Sequence, residues 1–274
     1  MVRRPRRIEL FSVGASLLSL LSLARPVAAF EGPGPRDRVL PCRPTIACTA
    51  ELVPPGTLEL EAGYLYRTGE EGALRAFPFL FKLTVLPALQ AQLGSNGYTV
   101  AASGVPSKHL DDLTAGLKLR FLEQGALRPA LSLSASINVP TASEPGLTSS
   151  TYDALASLYA SKDIGRVHAD LNVGGTLYRL SAPRPQAYAA LALSADLVSP
   201  FGLMVEWYAF SEAAPMASRD GGFLFAVSLS PRSWLMFDVG GDIGFFPSSR
   251  VFSAFAGLTV LPAVLWRSET PRAL

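Results

Sequence analysis

Between residues 56 and 266 the chain consists of short segments in which large apolar residues alternate with small or polar ones. The clearest covers residues 130–139, where Leu131, Leu133 and Ile137 alternate with serines. Successive side chains of a β-strand point to opposite faces, so each segment has an apolar and a polar face. A long series of strands leaves unpaired edges unless the sheet closes. The sequence therefore predicts an all-β fold, a closed antiparallel transmembrane β-barrel of about 12 strands that is apolar outside and polar inside.

The connectors between these segments alternate in length, which is a signal independent of the side-chain pattern. The short ones lie at residues 87, 123–128, 162–166, 199–200 and 230–233, and the longer ones at 67–75, 95–112, 140–150, 181–186 and 211–220. Outer-membrane barrels have short periplasmic turns and longer external loops. Because the predicted number of strands is even, we expect both ends of the chain on the periplasmic side. The longest connector is expected to fold inward as a constriction or outward as a contact surface.

Aromatic side chains are concentrated near the ends of the predicted strands. Strands favour aromatic residues in any setting, but in membrane barrels such residues also form girdles at the interface between lipid and water. We expect the girdle to contain Tyr64, Tyr66, Phe121, Tyr159, Tyr178, Tyr188, Phe201, Trp207, Trp234, Phe245 and Phe246.

The first 29 residues have the pattern of a secretory signal peptide. Arginines within the first seven residues precede an apolar stretch over 10–24, and small residues at 27–29 predict cleavage between Ala29 and Phe30. The apolar stretch is shorter than the ~20 residues of a membrane-spanning helix. We therefore expect export to the outer membrane of a Gram-negative bacterium. After the leader we expect an irregular segment over 30–55, a barrel over 56–266 and a tail over 267–274.

The leader also carries most of the positive charge. It holds five arginines against Glu9, a net charge of +4, so the formal charge of +2 becomes −2 after cleavage. The mature chain has no basic stripe interleaved with aromatic residues, and no nucleic-acid partner is expected. Only 17% of the residues are charged, against about 25% in soluble domains, which favours a surface in contact with lipid.

Residues 30–55 are rich in proline and glycine and have no sustained period, which predicts an irregular periplasmic segment. Cys42 and Cys48 lie in it. An exported chain meets an oxidising compartment, so we expect them to form a disulfide that staples this segment and not the barrel. No cluster of residues has the spacing of a metal site, and neither a metal nor a cofactor is expected.

Charged residues on the polar faces of the strands are the candidates for lining the lumen. Charges inside a barrel line a water-filled path, tune ion selectivity, or pair with one another and fill the interior. A barrel of about 12 strands lies between small filled barrels and open porins, so the sequence leaves both outcomes open. The candidates are Glu59, Glu61, Lys82, Lys118, Arg120, His168, Asp170, Asp196, Glu206, Asp238 and Asp242.

A membrane lipid hydrolase is the weakest functional alternative. It would need a serine–histidine pair with an orienting group at a lipid-facing position, and the chain has two histidines. His109 lies in the longest predicted connector. His168 is predicted to point inward beside Asp170, where a hydrogen-bond network is the expected role. No catalytic residue and no enzymatic activity are predicted.

Residues 111–123 and 132–141 contain an Asp-Leu-x-x-Gly-x-Lys strand followed by a hairpin that ends in Pro-Thr, and residues 237–245 contain Asp-x-Gly ahead of the closing strand over 254–260. This order resembles the outer-membrane transporter-like β-barrel family associated with the meta-cleavage pathway of phenol degradation. Ala142 stands where that family tends to have glycine. The resemblance implies an outer-membrane barrel that passes small molecules, apolar or aromatic ones among them.

Three functions follow from the sequence. The first is a channel or transporter for a small-molecule solute. The second is a plugged structural or adhesive barrel that acts through its external loops, and the third is the hydrolase. In each case the expected partners are outer-membrane lipid and, during insertion, the outer-membrane assembly machinery.

Overall fold

The chain forms one β-sheet that closes through its first and last strands. A computed structural model describes residues 37–69, 72–102, 107–144, 152–178, 183–213, 219–246 and 252–267. The predicted signal peptide with its cleavage site, and the tail from residue 268, lie outside these ranges. The strands are β1 (Thr57–Gly69), β2 (Gly72–Ala76), β3 (Phe79–Leu86), β4 (Leu89–Ser95), β5 (Tyr98–Ala101), β6 (Ser107–Leu110), β7 (Leu113–Leu122), β8 (Ala130–Val139), β9 (Asp153–Ile164), β10 (Val167–Tyr178), β11 (Arg184–Asp196), β12 (Phe201–Phe210), β13 (Asp220–Arg232), β14 (Leu235–Gly244) and β15 (Phe252–Val264). Over the described ranges, no helix has the length and hydropathy needed to cross a membrane.

Twelve of the described strands form the barrel, in the order β1, β3, β4 and then β7 through β15, with β15 paired to β1. The closing register runs from Thr57 opposite Val264 to Thr68 opposite Phe252. Because the two outermost strands pair with each other, this part of the sheet has no exposed edge. The predicted closed antiparallel barrel of about 12 strands is confirmed.

The remaining strands, β2, β5 and β6, continue β3, β4 and β7 past short breaks. β2 pairs with the second half of β1, β5 pairs with β2, and β6 pairs with β5. The prediction of long connectors at 67–75 and 95–112 is therefore wrong. β-Formers such as Tyr98, Thr99 and Val100 extend the sheet there because each finds a neighbouring strand.

The two ends of the barrel differ in their connectors. We call the end with Thr57 and Val264 the terminal end and the other the loop end. Connectors at the terminal end cover residues 87–88, 123–129, 165–166, 197–200 and 233–234, and those at the loop end cover 70–71, 102–106, 140–152, 179–183, 211–219 and 245–251. The predicted alternation is confirmed for most of them, the exceptions being the long 123–129 and the short 70–71.

Apolar side chains cover the outer face and polar ones point inward, as the period of two requires. Leu133 on β8 stands opposite Leu119 and Leu158 on the neighbouring strands, and all three are exposed to the outside.

Part of the aromatic prediction is wrong, because three of the tyrosines assigned to the girdle point inward. Their hydroxyls find hydrogen-bond partners there: Tyr159 with Ser134, Tyr178 with Gln186 and Tyr188 with Ser157.

Substituting arginine for an apolar residue on the outer face tests the assignment of that face to lipid. Leu133 is 48% exposed within β8, and Leu127 is 97% exposed in a connector at the terminal end. We expect Leu133→Arg to lower the free energy of unfolding by about 2–4 kcal/mol in lipid vesicles, because a guanidinium near the middle of a bilayer is poorly solvated. Leu127→Arg should change it by less than about 0.5 kcal/mol. Equal effects in urea unfolding would contradict the assignment.

Candidate functional site in the barrel interior

Residues 37–53, which we call the lead-in, run inside the terminal half of the barrel. The prediction of a periplasmic segment outside the barrel is wrong for these residues, since Ala47 and Ala50 are only 1% and 0% exposed. An irregular segment has no ladder to satisfy its N–H and C=O groups, and buried groups of this kind need partners. Inward-pointing side chains of the barrel provide them.

Glu59 and Glu61 on β1 and Lys82 on β3 hold the first part of the lead-in. Glu59 accepts the N–H of Leu40 at 2.7 Å, and Glu61 accepts the N–H groups of Cys42 and Arg43 at 2.9 and 2.8 Å. Lys82 donates to the carbonyl of Leu40 at 2.7 Å.

The same three charged side chains also pair with one another. The Lys82 ammonium lies 2.9 Å from the Glu59 carboxylate and 2.6 Å from that of Glu61. Each buried charge therefore has both an opposite charge and hydrogen-bond partners, which a buried ion requires.

Glu206 and Asn172 hold the deepest part of the lead-in on the opposite wall. Glu206 on β12 accepts the N–H groups of Ile46 and Ala47 at 2.8 and 2.6 Å. Asn172 on β10 accepts the N–H of Cys48 at 2.7 Å and donates to its carbonyl at 2.9 Å. One amide side chain thus satisfies both backbone groups of a single residue, as a strand partner would.

Strands β7, β8 and β9, which lie between β3 and β10 in the wall, bind the next two residues of the lead-in, Thr49 and Ala50. Lys118 on β7 donates to the carbonyl of Thr49, and Ser132 on β8 donates to that of Ala50. The hydroxyl of Ser161 on β9 accepts the N–H of Ala50 at 2.6 Å. The lead-in is therefore held by strands on several sides of the lumen.

The predicted disulfide between Cys42 and Cys48 is confirmed. Its location differs from the prediction, because the bridged loop lies inside the barrel. The amides bound by Glu61, Glu206 and Asn172 all belong to residues 42–48. The bridge thus limits the conformations of the part of the lead-in that contacts the barrel most.

Arg43 lies over a pair of glycines that face each other on β1 and β15. Gly63 and Gly257 are partners in the register, and a Cβ on either one would come within 2.4 Å of the Arg43 guanidinium. From this position Arg43 donates to the carbonyl of Ala256 at 3.2 Å and pairs with Asp238 at 3.4 Å. We call this arrangement the glycine slot.

The other charged candidates form local contacts. Asp242 accepts the hydroxyl of Tyr208. Arg120 lies near the terminal end, where it donates to Glu123 at 2.8 Å and to the carbonyl of Pro87 at 3.2 Å. Asp196 is exposed at the end of β11.

The contacts described for the two histidines are with carboxylates. His168 lies between Asp163 at 2.7 Å and Asp170 at 3.0 Å, and His109 lies 2.9 Å from Asp111. Among the described residues, no three His, Cys, Asp or Glu side chains are grouped as a metal site.

Arg43, Asn172, Ser132 and Ser161 were not among the predicted site residues. The alternating pattern identifies charged residues on strands, and Arg43 lies outside the strands. The alternation along β8 does place Ser132 inward, but that signal does not distinguish a serine that binds the lead-in from one that lines the lumen.

A cavity is present at each end of the barrel. At the terminal end a cavity of about 730 Å³ has walls from the lead-in, including Arg38, Arg43 and Thr49, and from β9 to β14, including His168 and Met204. At the loop end a polar cavity of about 570 Å³ is lined by Asp111, Asp112, Asn138, Asp153, Thr176 and Tyr178, among others.

Apolar and aromatic side chains also point into the barrel, on the wall formed by β11, β12, β13, β15 and β1. Met204, Leu224 and Phe255 pack together, with Leu65 against them. Nearby on this wall Tyr188 stacks on Phe210 with ring centroids 5.5 Å apart. We call Leu65, Met204, Leu224 and Phe255 the inner apolar patch.

The barrel is similar in fold to known outer-membrane channels. A crystal structure of the COG4313 outer membrane channel from Pseudomonas putida F1 aligns with a TM-score of 0.59 at 12% identity, covering 81% of this chain and 99% of that one. The KdgM porin in complex with disordered oligogalacturonate gives 0.54 at 8% identity, with 74% and 98% covered. The NanC porin gives 0.52 at 8% identity, with 73% and 98% covered. No family model and no curated protein matches the chain.

Replacing Asn172 by leucine tests the contacts of the lead-in. The change leaves the N–H and C=O of Cys48 without their partner, so we expect the free energy of unfolding in detergent to fall by about 1–3 kcal/mol. The amide of Cys48 should also exchange with solvent faster in mass-spectrometric hydrogen exchange. Gln92→Leu is the matched control, because Gln92 is an amide on the polar face of β4 whose side chain donates to Gln90. Unchanged exchange at Cys48 in Asn172→Leu would contradict the placement of the lead-in.

Proposed function

We propose that this chain is an outer-membrane channel or transporter for small molecules, including apolar and aromatic ones. The observation that carries the proposal is the inner apolar patch inside a barrel that is already apolar on its outside. Lipid contact explains apolar side chains on the outer face alone. Met204 lines the cavity at the terminal end and packs on Leu224 and Phe255, which are only 4% and 8% exposed. The patch therefore offers an apolar solute a contact away from water where it borders that cavity.

Other observations support the same function. The fold aligns with an outer membrane channel and with two porins, and the sequence resembles transporter-like barrels associated with the meta-cleavage pathway of phenol degradation. An aromatic or phenolic solute fits that resemblance and the stacked rings of Tyr188 and Phe210. Export to the outer membrane, with a cleaved signal peptide, is part of this proposal.

A plugged structural or adhesive barrel is the second candidate function. It is favoured by the lead-in, which occupies the terminal half of the interior. The two candidates differ in conductance: a channel carries ions and solutes across a bilayer, whereas a plugged barrel does neither. Single-channel recording in planar bilayers, combined with solute flux into liposomes, separates them. The absence of both would defeat the channel.

Replacing Phe255 tests the role of the inner apolar patch. We expect Phe255→Ser to slow the flux of phenol into liposomes roughly fivefold relative to glycerol, because about 1 kcal/mol of apolar contact is lost. Phe252→Ser is the matched control, since Phe252 lies on the same strand and is exposed on the outer face. If both variants keep the wild-type ratio of phenol to glycerol flux, an apolar solute is excluded.

A further inference from the structure

We propose that the lead-in is a gate that closes the channel, and that Arg43 in the glycine slot is its latch. This inference rests on the proposed channel function and adds how the passage is controlled. In the closed state residues 37–53 lie across the lumen. In the open state the bridged loop 42–48 withdraws toward the terminal end.

The glycine slot indicates that the barrel wall has a defined binding position for Arg43 in the closed state. Gly63 and Gly257 are opposite each other on adjacent strands, and a side chain at either position would occupy the space of the guanidinium. Glycine weakens a strand because it has no side chain to pack, and in strands it often marks the close approach of another group. Here the group that approaches is a side chain of the lead-in, held by Ala256 and Asp238.

The path of the lead-in allows it to withdraw without threading. Its two ends lie together at the terminal end, where Val39 and Val53 pack with Met236 and Leu261. The N–H of Val39 donates to the carbonyl of Ser233 in a terminal-end connector. Between these ends the chain reaches inward to Asn172 and returns. It is therefore a loop that enters and leaves by one opening, and its disulfide preserves its shape.

Release of the lead-in leaves few buried groups without partners. Between its two ends the lead-in is held by hydrogen bonds to side chains, which water in an open lumen replaces. The apolar contacts of this part are small and involve Ile46, Ala47 and Ala50. Lys82, Glu59 and Glu61 are all barrel residues and remain paired with one another when the lead-in leaves. The cavity of about 730 Å³ beside Arg38 and Arg43 gives the loop adjacent space.

The contact between Arg43 and Asp238 is the longest of the charged contacts described for residues 40–48 of the lead-in. It is 3.4 Å long, against 2.6–2.9 Å for the hydrogen bonds that Glu61 and Glu206 accept from backbone N–H groups. Within the described part of the chain, Arg43 Nε and Asp238 Oδ2 have no hydrogen-bond partner. We therefore place the first step of opening at this pair.

The test compares three full-length variants with the wild type. Arg43→Ala removes the latch, and Gly257→Ala fills the slot from the barrel side without a change of charge. Arg38→Ala is the matched control, because Arg38 lines the same cavity and is exposed. Hydrogen exchange at the amides of residues 40–48 reports release of the lead-in, and single-channel recording in planar bilayers reports passage.

We expect amide exchange in Arg43→Ala and Gly257→Ala to be roughly tenfold faster than in the wild type, as the loss of one charged contact implies. The open fraction should rise by a similar factor, and Arg38→Ala should match the wild type. A wild type that is fully open while these amides stay protected overturns the gate and leaves the channel intact. Faster exchange without conductance in any variant overturns both. Unchanged exchange and conductance in both latch variants also overturns the gate.

Discussion

Inward-pointing carboxylates accept the backbone N–H groups of an irregular segment, and the interior of this barrel depends on that interaction. Glu59, Glu61 and Glu206 would be costly charges in a dry interior without partners, and the amides of residues 40–47 would be equally costly without acceptors. Each set satisfies the other. The lead-in is therefore part of the folded structure and not an appendage to it.

The need to pair every buried polar group also accounts for the division of the molecule into an apolar surface and a polar interior. In lipid every backbone group must be paired within the protein, so the sheet closes through β1 and β15. Closure creates a lumen whose strand-borne side chains alternate with those that face lipid. In the terminal half those side chains bind the lead-in. On one wall they form the inner apolar patch.

The sequence predicts the barrel well because a period of two is visible residue by residue. Glu59, Lys82 and Glu206 point inward as their parity requires. The lead-in could not be placed in this way. It is held through its backbone, and backbone contacts leave no pattern in the side chains of residues 37–53. The sequence also does not predict that β2, β5 and β6 extend the sheet. Whether a short segment such as 98–101 is loop or strand depends on its pairing with a distant strand, which the local sequence does not show.

The position of the lead-in in a living membrane tests this account most directly. A photo-crosslinking amino acid at Ile46, which packs near Tyr208 and Phe210, would be activated in growing cells and its products mapped by mass spectrometry. We predict an intramolecular link to residues 188–210 of the barrel wall. Links to periplasmic proteins, with none to the wall, would contradict an interior built around the lead-in.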